Sequence, residues 1–407
     1  MLSEIPKALA EKIITCAKRP QTGVSLRQMV EFGRTPTQGT LLWATRFVYN
    51  ELAIRLSHRV VELDTIPKLN KSPTVERVKN WYIQSFNELV HFPAVSDKIK
   101  NIVVENTLPN YDHESENTKL IDFSNPSRYY YNTRDIEYPL EVKEYNRGFV
   151  KVLSTIKSRH DAVVTTIAQG IKEYKNEENV EIIDNLVQNF LDRFYLSRIG
   201  IRVLIGQHIE LNNFNQDKDY VGIICTKTKI ADVINEAIQS ARNICLNSYI
   251  LFLPPEIELY CPPNLEFMYT PSHLHHMVFE LVKNSLRATV ETYGEDAESF
   301  PPIKIIVAKG NEDITIKISD EGGGIPRSSI SKIWTYTYTT AISPDLDDSF
   351  NQSDFKAPMA GLGYGLPLSR LYARYFGGDI KVISMENFGT DAYLHLSRLS
   401  NSNEPLS

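Results

Sequence analysis

The sequence predicts a two-domain α+β protein, with an all-α helical bundle over residues 1–212 and an α/β sandwich on a mixed sheet over 220–397. Three observations carry this. From Leu26 to Gln84, and again from Gly148 to Leu211, apolar residues recur at three- and four-residue spacing with few β-branched runs, which is the period of long helices. Beyond residue 300 the period shortens to two, with Ile314, Ile316 and Ile318 alternating with Thr315, Lys317 and Ser319. Between these textures lies Leu211 to Tyr220, where Asn212, Asn213, Asn215, Asp217 and Asp219 mark a domain boundary.

Within the first domain, Asn106 to Pro139 is rich in Asn, Asp, Ser, Pro and Tyr and reads as a loop excursion between the helical stretches. Within the second, Ile303 to Ala308 and Ile314 to Ser319 predict an antiparallel hairpin closed at Gly310-Asn311. Asp379 to Met385 and Asp391 to Leu396, joined around Gly389, predict another pair. Helices at Pro271 to Thr292 and Leu366 to Phe376 are expected on one face of the sheet, and residues 398–407 are expected to form a disordered tail.

Bulk composition narrows the function. Length fits about two domains. The 44 basic and 50 acidic residues leave a formal charge of −6, which argues against a general nucleic-acid binder and for a protein or small-molecule partner. Cys16, Cys225, Cys245 and Cys261 are too widely spaced for a zinc knuckle and too few for a disulfide framework, and read as reduced thiols. No run approaches the roughly 18 apolar residues of a membrane span. The first residues mix Lys7, Lys12, Lys18 and Arg19 with Glu4 and Glu11, a poor secretory signal and a weak amphipathic presequence candidate.

Chemistry concentrates at three places. At about 100° per residue, His276, Glu280, Lys283, Asn284 and Arg287 share one helix face, and Leu274, Met277, Val278 and Leu281 the other. A solvated amphipathic face explains the charges alone. An Asn one turn after a Glu and two turns after a His also suits a metal–phosphate site, because Mg2+ takes neutral or anionic oxygens and keeps several waters. The strand Ile314 to Ser319 runs into Asp320-Glu321-Gly322-Gly323-Gly324. There Asp320 can accept from an exocyclic amine such as that of adenine while Gly322 and Gly324 admit a flat ring. Gly361-Leu362-Gly363-Tyr364-Gly365-Leu366 leads into a helix whose N-terminal N–H groups suit phosphate. It is not the dinucleotide fingerprint, because no βαβ unit accompanies it.

In order and spacing, the three resemble the GHKL superfamily (Bergerat) ATP site, with residues 342–359 as its ATP lid. The strings His276-Met277-Val278-Phe279-Glu280-Leu281-Val282-Lys283-Asn284 and Gly363-Tyr364-Gly365-Leu366-Pro367-Leu368-Ser369-Arg370 are similar to the mitochondrial pyruvate dehydrogenase kinase family. So are Asn387-Phe388-Gly389-Thr390, Arg159-His160-Asp161 and Phe190-Leu191-Asp192-Arg193-Phe194-Tyr195.

The resemblance implies an ATP- and Mg2+-dependent serine kinase of the mitochondrial matrix that phosphorylates the E1 α subunit of the pyruvate dehydrogenase complex and inhibits it. The branched-chain 2-oxoacid dehydrogenase kinases are the sister alternative. Remoter alternatives are a GHKL ATPase, which would need a larger partner domain, and a silent scaffold, disfavoured by the presence of both Glu280 and Asn284. Glu280 is implied as general base, oriented by His276, and Asn284 as the Mg2+ ligand. Lys283 and Arg287 are implied to neutralise phosphate, Asp320 with Thr390 to read adenine, and Thr339 and Thr340 to lie beside the nucleotide. A homodimer and docking of the E2 lipoyl domain near Leu26, Met29 and Phe47 are also implied, although these three suit an internal core equally well. His160 reads as a helix-surface residue or as one near substrate phosphates. Two departures from the animal enzymes stand out: the excursion at 106–139, and no extended Asp-Trp tail after Leu399.

Overall fold

The computed structural model describes the chain except residues 1–4, 34–35, 68, 109–130, 181–182, 214–216, 250–252, 341–361, 400, 401, 403 and 407. The excursion over 109–130, the lid expected at 342–359 and Gly361 therefore lie outside the described residues. Two compact units form, one of residues 1–167 and 200–224, the other of 168–199 and 225–405.

The first unit carries helices α1 (Lys7–Ala17), α2 (Leu26–Gly33), α3 (Gln38–Thr65), α4 (Pro73–Val90), α5 (Asp97–Glu105) and α6 (Leu140–Arg159). Helices α7 (Val163–Glu178) and α8 (Asn185–Leu211) follow along the chain, with their residues 168–199 in the second unit, and then the short strand β1 (Tyr220–Val221) in the first. Helix α3 buries side chains on nearly every side, including Arg55 paired with Glu51 at 2.8 Å. A helix apolar all round belongs at the centre of a bundle. Thr37 caps it, accepting the Thr40 N–H at 3.1 Å. The Trp43 indole N–H donates to Thr107 Oγ1 at 3.0 Å. Thr107 and Thr133 form an antiparallel bridge, so the residues flanking 109–130 are drawn together.

Two expectations resolve here. Leu26, Met29 and Phe47 are buried and belong to the core. His160 is not a surface residue: it is buried, stacked 4.4 Å from the Tyr82 ring, with Nε2 3.0 Å from Ser85 Oγ.

In the second unit, β2 (Ile224–Lys229) pairs antiparallel with β4 (Glu266–Tyr269), and α9 (Ile230–Tyr249) packs on α10 (Pro271–Tyr293). The main sheet has the order β3-β5-β6-β8-β7, from β3 (Ile257–Tyr260), β5 (Ile303–Lys309), β6 (Asp313–Asp320), β7 (Asp379–Met385) and β8 (Gly389–Ser397). Both expected hairpins are present. Strand β3 adds a parallel pairing to β5, which makes the sheet mixed. Ile303, Ile305, Ile314, Ile316, Ile318, Ile380 and Leu394 point to the buried face, on which α10 and α11 (Gly365–Tyr375) lie. In the tail, Glu404 is buried and accepts the Tyr375 hydroxyl.

The alternation in β5 makes a direct test, because Ile305 faces the core and its neighbour Lys304 faces outward. Urea unfolding of Ile305→Ala is expected to show a loss of about 2–5 kcal/mol, the cost of deleting a buried branched side chain. Lys304→Ala is expected to stay within about 0.5 kcal/mol.

Candidate active site

Helix α10 has no solvated stripe at its centre. Its apolar side is buried as expected, but Glu280 and Lys283 on the other side are also buried, at 6% and 2% exposure. Their charges pair at 2.9 Å, three residues apart on one face. The Lys283 ammonium also lies 5.3 Å from the Phe279 ring centre. Burial excludes the solvated-face reading, since neither charge would leave water without a compensating partner.

The two charges look into a cavity of about 470 Å3 between α10 and the end of the sheet. Sheet register assembles its floor. Asp320 pairs with Thr390, and Ala392 lies opposite both Ile318 and Val382, so Asp320, Thr390, Ala392 and Val382 converge beneath the helix. Asp320 is held by donors on both oxygens, from Ser285 Oγ to Oδ2 at 2.7 Å and from the Gly322 N–H to Oδ1 at 3.0 Å. Burial pushes its pKa up, and the hydrogen bonds from Ser285, Gly322 and Thr390 oppose that without cancelling it.

Glycine is required at two edges of the cavity. A Cβ on Gly322 would stand 2.6 Å from Ala288 Cβ and 2.7 Å from its carbonyl carbon, so only Gly lets the loop pass under α10. A Cβ on Gly365 would overlap the Glu280 carboxylate, which therefore sits against the N-terminal turn of α11. An anionic side chain is favoured there by the free N–H groups and the helix dipole.

Residues 335–340 form a further wall. Tyr336 donates its hydroxyl to Asp192 at 2.7 Å and its N–H to Gln188 at 3.1 Å, and its ring meets those of Tyr195 and Tyr364. Thr337 stands at φ +64°, an unusual conformation for a β-branched residue. Its N–H donates to the Gly363 carbonyl at 3.2 Å and its hydroxyl accepts from Lys175 Nζ at 3.4 Å. Residues 168–199 thus belong with the sheet rather than with the bundle to which 1–212 was assigned.

Of the residues expected at a nucleotide site, Glu280, Lys283, Asn284, Arg287, Asp320, Gly322, Gly324, Thr339, Thr340, Gly363, Gly365, Leu366 and Thr390 all line this cavity. Arg287 also donates to Thr340 Oγ1 at 3.1 Å. The Tyr364 side chain instead joins the Tyr195–Tyr336 cluster, and the His276 ring lies 5.0 Å from that of Tyr372. Leu362 is half-buried outside the lining. Sequence reasoning missed Ser285, whose partner Asp320 is 35 residues away, and the Gln188–Asp192–Lys175 supports, more than a hundred residues from what they hold. Only Ser285 had a local signal, its place beside Asn284.

Comparison with known proteins bears on this geometry. Residues 269–400 match the model described as histidine kinase-, DNA gyrase B- and HSP90-like ATPase, and residues 23–225 match that of mitochondrial branched-chain alpha-ketoacid dehydrogenase kinase. The mitochondrial [pyruvate dehydrogenase (acetyl-transferring)] kinase of Schizosaccharomyces pombe is 45% identical over all of both chains. The chain belongs to the pyruvate dehydrogenase kinase family. The Arabidopsis thaliana enzyme of that name is 44% identical over 98% of this chain and 97% of its own. Isozyme 3 of Mus musculus is 37% identical over 93% and 81%.

Family membership implies ATP as the nucleotide. A carboxylate is a stronger acceptor ionised than protonated. The raised pKa of Asp320 means that the stronger acceptor is lost on acidification at a higher pH than for an ordinary carboxylate. ADP affinity measured by calorimetry should therefore weaken as pH falls, starting above the usual carboxylate range. In Asp320→Asn that component of the pH dependence should be absent.

Proposed function

We propose that the chain is an ATP-dependent serine kinase of the pyruvate dehydrogenase complex, transferring the ATP γ-phosphate to the E1 α subunit and so inhibiting it. The observation that carries this reading is a buried carboxylate, Glu280, held by Lys283 against the first turn of a glycine-led helix, in a chain of this kinase family.

Each residue has a role in that reaction. Glu280 takes the proton from the substrate serine hydroxyl as its oxygen bonds to the γ-phosphorus and the bond to the β-phosphate oxygen breaks, releasing ADP. His276, one turn earlier, is assigned to orienting Glu280. Lysine has three N–H donors; with one engaged by Glu280, the Lys283 ammonium keeps two for phosphate oxygens. Arg287 adds a second positive charge, and Thr339 and Thr340 place hydroxyls beside the nucleotide. Gly361, Leu362, Gly363, Tyr364, Gly365 and Leu366 are assigned to the phosphates through their backbone. Asp320, with Thr390 beside it, accepts from the adenine amine, between Gly322 and Gly324.

The donor set also fits Mg2+. Asn284 lines the cavity beside Glu280 and Lys283 and offers one neutral side-chain oxygen, which suits an ion that arrives on phosphates and keeps several waters. Bound there, Mg2+ would neutralise phosphate charge.

The relatives are named as mitochondrial enzymes, and the matrix is proposed on the family resemblance. A homodimer through the open face of the main sheet is proposed on its outward Ile306, Ile383 and Met385, each more than 40% exposed. The E2 lipoyl domain is proposed as a partner of the first unit through residues other than the buried Leu26, Met29 and Phe47. A branched-chain substrate is the second reading, favoured by the name of the model that matches residues 23–225.

Purified pyruvate and branched-chain E1 components incubated with radiolabelled ATP discriminate these readings. Label is expected on the pyruvate E1 α subunit; label on the branched-chain protein alone would reassign the substrate. Glu280→Gln is expected to reduce transfer by at least about 100-fold while ADP still binds. Gly365→Ala, whose methyl would displace the same carboxylate, is expected to cost about 10–100-fold in kcat with ADP affinity changed less. Labelling by Glu280→Gln at the wild-type rate would dismiss Glu280 as the base.

A further inference from the structure

Ser285 occupies an unusual place in the cavity. It is 5% exposed yet lines the space, on the same helix as Glu280 and Asn284. Its hydroxyl is directed at Asp320 Oδ2 at 2.7 Å, while Oδ1 is taken by the Gly322 N–H. Its carbonyl receives the Thr289 hydroxyl at 2.9 Å, one turn along the helix. A carboxylate offers about four acceptor positions. Ser285 and Gly322 place one donor on each oxygen and the Thr390 backbone adds a third hydrogen bond, which leaves about one acceptor position for a ligand in the cavity.

We propose that Ser285 is a specificity-determining residue, which by donating to Asp320 presents the carboxylate to the nucleobase as an acceptor only, so that a 6-amino purine is taken and a 6-oxo purine refused. The inference rests on the reading of Asp320 as the adenine contact. A donor already aimed at Oδ2 opposes a proton on that oxygen, because the two hydrogens would face each other. The Gly322 N–H does the same at Oδ1. These hydrogen bonds favour the ionised carboxylate against the burial that pushes its pKa up, and while ionised it has no proton to donate, so that a 6-oxo purine would set its carbonyl oxygen against an anion in a buried site. Without the Ser285 hydroxyl, Oδ2 is free to carry a proton and to donate to a 6-oxo group. Specificity thus depends on a residue that need not touch the base.

ADP and IDP test this directly, since they differ at purine position 6, an amine in one and a carbonyl with a protonated N1 in the other. Calorimetric affinities of the full chain for each, with Mg2+ present, are compared for wild type, Ser285→Ala and Ser285→Thr. Wild type is expected to favour ADP by about 100-fold or more, in line with the large penalty for mismatched buried polar groups. Ser285→Ala is expected to weaken ADP by about tenfold and leave IDP unchanged or tighter, lowering the ratio by at least tenfold. Ser285→Thr, which keeps the hydroxyl, should restore most of the ratio. If Ser285→Ala weakens ADP and IDP equally, the residue only ties α10 to the sheet and the proposal is overturned; an unchanged ratio overturns it too. A wild-type protein that binds ADP and IDP alike would instead refute Asp320 as the adenine contact. That outcome is separate from a discriminating wild type whose ratio does not respond to Ser285.

Discussion

The burial of the Glu280–Lys283 pair is the demand to which the second unit answers. Two ions three residues apart on a helix would ordinarily stay in water, and their mutual attraction once buried roughly offsets the cost of drying them. The pair is therefore no source of net stability, and the helix must be seated by other means. Leu274, Met277, Val278, Leu281 and Leu286, all buried, supply the seat, packing α10 on α9 and the sheet. Removing either partner alone would strand the other without compensation, which makes the pair a constraint on everything around it. Gly365 is one consequence, since any larger residue would occupy the space of the carboxylate. The loop beneath Ala288 is another, because α10 can come down onto the sheet end only where residue 322 has no side chain.

Much of this was legible from residue order. The β5–β6 hairpin showed as an apolar run and an alternating strand closed at Gly310-Asn311, β7–β8 as a pair joined around Gly389, and α10 as two chemically distinct stripes. The sheet's parallel strand did not, because Ile257–Tyr260 is four residues long with no turn signal joining it to β5. Short strands that pair across a long connection leave no local trace. Helices α1, α5 and α9 went unread although helical spacing is present, as Ile230, Val233, Ile234, Ala237, Ile238 and Ala241 of α9 show. At the cavity, the residue types were readable but their alliances were not. Asp320 announces an acceptor at a strand end; that Ser285 and Gly322 each donate to it depends on how α10 is seated, which no spacing encodes.

The placement of 168–199 with the sheet has the same origin. Read along the chain, α8 is one apolar helix and belongs with the bundle. Its first half, however, carries Gln188, Asp192 and Tyr195, and these meet Tyr336 and Tyr364 of the cavity wall. Buried tyrosine hydroxyls require partners, and Asp192 serves Tyr336 across 144 positions of sequence. Periodicity reports that a helix is amphipathic, not which surface its polar side will serve.

The same economy governs the ends of the chain's two long excursions. Leu108 and Asn132, and Arg134 and Asn106, exchange backbone hydrogen bonds at 2.8 Å, so residues 109–130 leave and return at one point. Thr337 and Gly363 do the same for 341–361, by the N–H to carbonyl bond at 3.2 Å. The entropy of closing a loop rises only with the logarithm of its length, about 0.6 kcal/mol per doubling. Once its base is clamped, an excursion can therefore grow or shrink at little cost to the fold beneath. At the cavity this clamp has a further effect. Thr337 holds φ +64°, a strained state for a β-branched residue. It does so between a lysine of α7 and the glycine loop that leads into α11, so that the wall at 335–340 is tied to both. A positive φ of this kind persists only where long-range contacts over-determine the backbone, and here they come from a lysine 162 positions away and a glycine of the next loop.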